Sequence, residues 1–184
     1  MNEVWQDKIP PQDIEAEQAV LGAIFLDSDT LIDAMEIVTP RSFYRRSHQI
    51  IFQSMIQLSN RGEAIDLVTL KAEIEKSNAL EDIGGISYLS ELSQSTPSSA
   101  SVSYYAKIVD DKSLLRQLIQ TANQIVVKSF EQGEEVQAIV DEAERSILEV
   151  SEKRNSTGFQ SIADVLNQSI ETIDRLAQNN EEIT

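Results

Sequence analysis

Apolar residues recur every three to four positions along most of the chain, and proline and glycine interrupt them at a few sites. No run alternates Val, Ile or Thr with polar residues between hairpin turns, so strands are not expected. The pattern predicts an all-α protein. Pro10 and Pro11 forbid helix, and Asp13 is placed to cap one that becomes apolar on nearly every side towards Phe25. Glu15 and Glu17 stand where the positive end of the helix dipole favours acids, which reads as solvated capping. Asp29 is placed to cap a short second helix carrying Leu31, Ile32, Met35 and Ile37, which Thr39-Pro40 ends. A third helix is expected over 47–60, with Ile51, Met55 and Leu58 on one face. Asp66 can cap a fourth carrying Leu67, Leu70 and Ile74. Gly84-Gly85 breaks the chain before a short fifth helix over 86–92.

Residues 94–101 are rich in small side chains and proline and read as a hinge. A long helix is expected over 102–130. Ile108, Leu115, Leu118, Ala122 and Ile125 form one stripe, with Ile119, Val126 and Phe130 beside it, so the apolar arc is wider than one packing partner needs. Gly133 ends that helix. Val136, Ile139, Val140, Ala143, Ile147 and Val150 mark a second one, and the short turn between them makes an antiparallel hairpin. Its leftover apolar surface is covered either by a second copy of the chain, the reading preferred here, or by the head. Residues 153–158 read as a linker, followed by a tethered amphipathic helix over 161–178 with Ile162, Leu166, Ile170 and Ile173 on a stripe. That helix docks on its own hairpin or is frayed, or else it docks on a neighbouring subunit. The division is an arm (1–12), a compact helical head (13–95), a hinge (96–101), the hairpin (102–152) and a linker with its docking helix (153–184).

Composition narrows the function. The 184 residues carry 31 acids against 15 Lys and Arg, a formal charge of −16 that repels phosphate backbones and favours proteins as partners. There is no cysteine, hence no disulfide or thiolate metal site. No run is long and apolar enough for a membrane span, and the first residues lack a secretory pattern, so a cytoplasmic protein without a membrane partner is expected. The single histidine, His48, neighbours Ser47, but adjacent helical residues do not face each other, so no dyad forms. His48 reads as structural or surface, and no catalytic, metal or cofactor site is expected. Arg41, Arg45 and Arg46, interleaved with Phe43 and Tyr44, form the one dense basic patch. It pairs with the chain's own acids, or else meets a protein or a single strand.

Several blocks then carry a resemblance in the right order: Pro10-Pro11-Gln12 with Ile14-Glu15-Ala16-Glu17-Gln18-Ala19-Val20-Leu21-Gly22-Ala23-Ile24, Phe43-Tyr44-Arg45-Arg46 with His48-Gln49, Arg61-Gly62-Glu63 with Asp66-Leu67-Val68-Thr69, Gly84-Gly85 with Ser87-Tyr88-Leu89, Tyr104-Tyr105-Ala106 with Ile108-Val109, and Asp141-Glu142-Ala143-Glu144. Together they resemble the amino-terminal collar domain and linker of the bacterial DnaB-type replicative helicases. No Gly-x-x-x-x-Gly-Lys-Ser/Thr loop is present, so the resemblance stops short of the ATP-driven motor and the chain is expected to be inactive by itself. The resemblance implies no cofactor here, with ATP and Mg in the parent protein. It implies dimers built into a hexameric ring, primase and a helicase loader as partners, and single-stranded DNA held mainly by the motor. It also implies primase docking near Glu15, Tyr88, Ile119 and Ile125, against a reading of these last three as core. Self-association falls to Ile108, Leu115, Leu118, Ala122, Ile139, Ala143 and Ile147, and docking on a neighbour's motor to Ile162, Leu166, Ile170 and Ile173. A free-standing acidic adaptor or inhibitor of a helicase is the competing reading.

Overall fold

The computed structural model describes residues 8–96, 98–131, 133 and 135–156, with side chains as far as Glu152. The expected tethered helix, with Ile162, Leu166, Ile170 and Ile173, lies outside the described residues. Among the described residues, seven α-helices run in order: α1 (Ile14–Leu26), α2 (Thr30–Met35), α3 (Arg46–Asn60), α4 (Leu67–Glu75), α5 (Gly85–Ser93), α6 (Val102–Glu131) and α7 (Val136–Ser156). A 3-10 turn, Pro40–Ser42, precedes α3. The described residues contain no strand.

The predicted caps set two of these starts. Asp13 accepts from the Ala16 N–H at 3.0 Å, and Asp66 accepts from Val68 and Thr69 at 2.8 and 2.9 Å while Thr69 answers the Asp66 N–H. Asp29 caps nothing with its side chain. The entry to α2 is instead tightened by Asp27, whose carboxylate accepts the Asp29 N–H and whose carbonyl accepts the Thr30 hydroxyl. The expected α2 stripe is also corrected. Ile32 and Met35 face solvent, and Leu31, Ala34 and Val38 enter the core. Gly84 starts α5 with φ +95°, a left-handed conformation that favours glycine.

α1 is the central rod of the head. Val20, Leu21, Ala23 and Ile24 are fully buried against Leu31, Phe43, Ile51, Phe52, Met55, Leu70, Ile74, Leu89 and Leu92. Gly22 lets the end of α5 lie against α1, since a Cβ there would stand 2.9 Å from the Leu92 carbonyl and closer still to Ser95 and Thr96. The expected hinge is therefore pinned at its start. Ser95 donates to the Gln18 carbonyl and Thr96, itself buried, to that of Ala19, each at 3.2 Å.

The head does not end at that segment either. Val102, Ala106 and Val109, in the first turns of α6, belong to the same core, and Ile108 packs against it. Farther along, Arg116 reaches back to donate to the carbonyls of Pro11 and Ser42. The boundary between head and hairpin thus falls inside α6, not at its first residue. Ile108, expected on the self-association face, is engaged by the head. The second half of α6 pairs with α7 in antiparallel fashion: Lys128 meets Glu142, and Gln117 and Gln120 lie near Ser146 and Val150.

Candidate functional site

Two features of the molecule depart from a plain helical bundle, and they lie in different halves. The first is inside the head. Glu17 looks in the sequence like a solvated first-turn acid, yet it is 1 % exposed. One carboxylate oxygen accepts the Tyr44 N–H at 2.6 Å, and the other accepts the Arg45 N–H at 3.4 Å and faces His48 Nδ1 at 2.6 Å. His48 is fully buried, and its Nε2 lies 2.6 Å from the Tyr88 hydroxyl. Gln18 donates to that hydroxyl at 3.2 Å. The ring planes of His48 and Tyr88 are within 5° of parallel, and Phe43 stands edge-on to the imidazole.

A neutral imidazole satisfies every group in this chain of bonds. Nδ1–H donates to Glu17, Nε2 accepts the Tyr88 O–H, and the Tyr88 oxygen is left for Gln18. The order acid, imidazole, hydroxyl resembles that of a nucleophilic triad. Here, however, the hydroxyl is a phenol turned towards Gln18, and the bonds tie α1, α3 and α5 to one another. Of the two readings left open for His48, structural and surface, the structural one holds. Of the residues expected to face primase, Tyr88 is half-buried with its hydroxyl directed inward, and Glu15 is exposed on α1.

A second polar knot fastens α3 to α4. Arg61 donates to both oxygens of Glu73, at 3.1 and 2.6 Å, and also to Glu63, while Lys76 meets Glu73 at 2.6 Å. The bonds from Arg61 first, and then Lys76, hold the Glu73 carboxyl down at about 2. Arg116 carries the opposite stress. Burial lowers its pKa, against support from Glu17 and Tyr44.

The second departure is on the far half of the hairpin. Leu115, Leu118, Ile119, Val126 and Phe130 are exposed along α6, as are Val136, Val140, Ile147 and Leu148 on α7. On α6 these positions, with exposed Ala122, fall within about 120° of arc at 100° per residue, a continuous open stripe. It merges the expected stripe with the residues flanking it, less Ile108 and Ile125. Ile125 faces sideways into a groove between the two helices, lined also by Val127, Ile139 and Ala143, with Lys128 and Glu142 at its edge. That groove has a volume of about 540 Å³. Ile139 and Ala143 are thus half covered by α6, whereas Ile147 is open. Ile119 and Ile125 therefore point in different directions, and neither sits on the part of α6 that packs on the head.

Over half of the chain, residues 9–111, matches the family described as the DnaB-like helicase N terminal domain. The chain belongs to that family. The match ends within α6, and the whole DnaB-like chain is 49% identical to the replicative DNA helicase DnaB of Geobacillus stearothermophilus and 46% identical to the replicative DNA helicase DnaC of Bacillus subtilis, over 184 residues in both cases. It spans 40% of the length of each of those relatives. Among solved structures, the N-terminal domain of DnaB helicase from Mycobacterium tuberculosis superposes with a TM-score of 0.73 at 39% identity, over 77% of this chain and 99% of that one. A structure of a DnaB-like replicative helicase and its interactions with primase shares the fold, with a TM-score of 0.62 at 24% identity over 86% of this chain and 35% of that one. Nothing in the sequence marked Glu17, Gln18 and Tyr88 as partners of His48, because the approach of 43–48 to α1 that joins them is a long-range event.

Proposed function

We propose that this DnaB-like domain serves as the collar of a replicative helicase, joining subunits to one another and receiving primase. ATP- and Mg-driven unwinding of DNA at the replication fork belongs, in this reading, to the rest of the parent protein. A helicase loader and a single strand held by the motor are the further partners it implies, and the cytoplasm is its compartment. The observation that carries the reading is the open apolar stripe from Leu115 to Phe130 on α6, with Val140 and Ile147 also exposed on α7. Each such side chain gains roughly 1.5–3 kcal/mol when taken fully out of water, so a second copy lying along the stripe is strongly favoured. Identity to replicative helicases along the whole chain favours a collar over a free-standing adaptor or inhibitor.

For primase, the groove beside Ile125 offers a concave apolar seat, and Ile119 and Glu15 offer exposed side chains. Interfaces place aromatic and aliphatic anchors in such pockets. Tyr88 contributes by fixing α5 through its inward hydroxyl. Size-exclusion chromatography of the chain mixed with primase tests this. Co-elution that Ile125→Asp abolishes, with unchanged circular dichroism, is the expected result. Separate elution of the wild-type chain and primase at tens of micromolar, concentrations typical of a weak encounter, rejects primase docking.

A further inference from the structure

Arg41, Arg45 and Arg46 are all exposed, and none of them makes an ion pair among the described residues. The sequence expectation that they pair with the chain's own acids is therefore not met. That is unusual for a chain with twice as many acids as bases, where a neighbouring carboxylate is seldom far away. The placement of two of them also runs against helix electrostatics. Arg45 occupies the position before α3 without a side-chain cap, Arg46 is its first residue, and no acid stands in its first turn. Cations at that end of a helix oppose the dipole. Glu17, the acid that holds the backbone of Tyr44 and Arg45, is buried, and its oxygens are engaged by Tyr44, Arg45 and His48. It supports the backbone there and leaves the three guanidinium groups outside unmatched.

Between the arginines stands Tyr44, 37% exposed, with the Arg116 guanidinium 5.6 Å from its ring centroid. Phe43 and Ser42 are buried. The patch therefore presents charge and one aromatic ring, without a cluster of aliphatic anchors. We propose that this surface, formed by Arg41, Tyr44, Arg45 and Arg46, is a weak docking site for single-stranded DNA. Guanidinium forks match phosphate oxygens bidentately, and an exposed ring accepts a base by stacking. The large negative charge of the chain limits affinity, but screening over about 8–10 Å confines that repulsion to nearby acids at physiological salt. The proposal stands apart from the collar reading, since it needs neither a second copy nor primase.

The test is fluorescence anisotropy of a labelled oligothymidylate titrated with the whole chain at low salt. Binding in the range of about 10–100 µM is expected, as for non-specific nucleic-acid contacts. Three neutralised phosphates give a slope of log K against log salt of about −2 on a single strand. Replacing Arg41, Arg45 and Arg46 together by Ala removes binding, and Tyr44→Ala weakens it about fivefold or more, the loss of one stacked base. Circular dichroism of each variant checks that the fold persists. Absence of an anisotropy change with the wild-type chain overturns the proposal, as does equal binding by the folded triple variant. Tighter binding of a labelled polyglutamate of equal charge, unaffected by Tyr44→Ala, also overturns it, pointing to an acidic protein segment as the occupant.

Discussion

The head and the far half of the hairpin are made of the same kind of helix, yet they solve the problem of apolar surface differently. In the head, α1 is surrounded on all sides, and even its buried charge has three partners. Beyond Arg116, α6 pairs with α7 and, among the described residues, leaves aliphatic and aromatic side chains exposed, Phe130 at 71 % exposure among them. A folded unit that closes one core and leaves an adjoining face open has placed its stability in the first region and its capacity for association in the second. Large contiguous apolar patches on soluble proteins mark interaction sites for this reason.

The difference predicts opposite responses to mutation. The largest effect belongs to the head. Phe52→Ala leaves a cavity costing about 3–5 kcal/mol. Glu17→Ala strands His48 and two backbone N–H groups, at about 1–3 kcal/mol for each group left unpaired. Leu118→Ala and Val126→Ala, on the open face, cost a dilute monomer less than about 0.5 kcal/mol. Thermal melts at low concentration check all four, and equal losses in both regions would erase the distinction.

Next in size is Gly22→Ala. The new methyl meets the Leu92 carbonyl at 2.9 Å and the hydroxyls of Ser95 and Thr96, so α5 must move away from α1. A loss of about 1–3 kcal/mol is expected, the usual cost of overpacking. A neutral result in urea unfolding would show that the segment after α5 is looser than its two hydrogen bonds to α1 indicate.

Smaller again is Tyr88→Phe. It removes the proton donor to His48 Nε2 and leaves the ring in place, for about 1 kcal/mol. Because the hydroxyl points inward, primase affinity should change less for Tyr88→Phe than for Ile125→Asp. The reverse order, measured by calorimetry, would make Tyr88 a direct contact.

The smallest effect is visible only in acid. Glu73 titrates at about 2 in the fold, below its ordinary value of 4.5. Its contribution is therefore present above about 4.5 and is lost as pH falls towards about 2, where the unfolded chain binds the proton more readily. Asp66 is lowered by its bonds from Thr69 and Val68 and acts in the same direction. Glu73→Gln should flatten the acid limb of the stability curve. An unchanged limb would mean that solvent screens the Arg61 and Lys76 contacts.

The helices were legible in the sequence because their causes are local: Asp13 and Asp66 cap, Gly84 and Gly133 interrupt, and the period of 3.6 does the rest. Glu17 was not legible. Its position in a first turn suits a solvated acid, and it is the approach of Tyr44 and Arg45, which lead into α3, and of His48 on α3 that engages it. The same limit applies to residues 94–101, whose small side chains suggest a hinge, while Thr96 is held by the Ala19 carbonyl. The wide apolar arc of α6 was visible, but its division was not. The pattern cannot say that Ile108 turns to the head while Leu115 and Leu118 stay open, because that depends on where α1 crosses. Arg41, Arg45 and Arg46 were visible as a patch, and their lack of acid partners among the described residues is a property of the folded surface.

Sedimentation equilibrium of the chain, at micromolar to tens-of-micromolar concentrations, tests the open face most directly. A 20.6 kDa chain should associate into dimers or larger species there. Leu118→Asp combined with Val126→Asp should return it to a folded single copy with an unchanged melting temperature at low concentration. A wild-type chain that stays at the mass of one copy throughout would contradict the account.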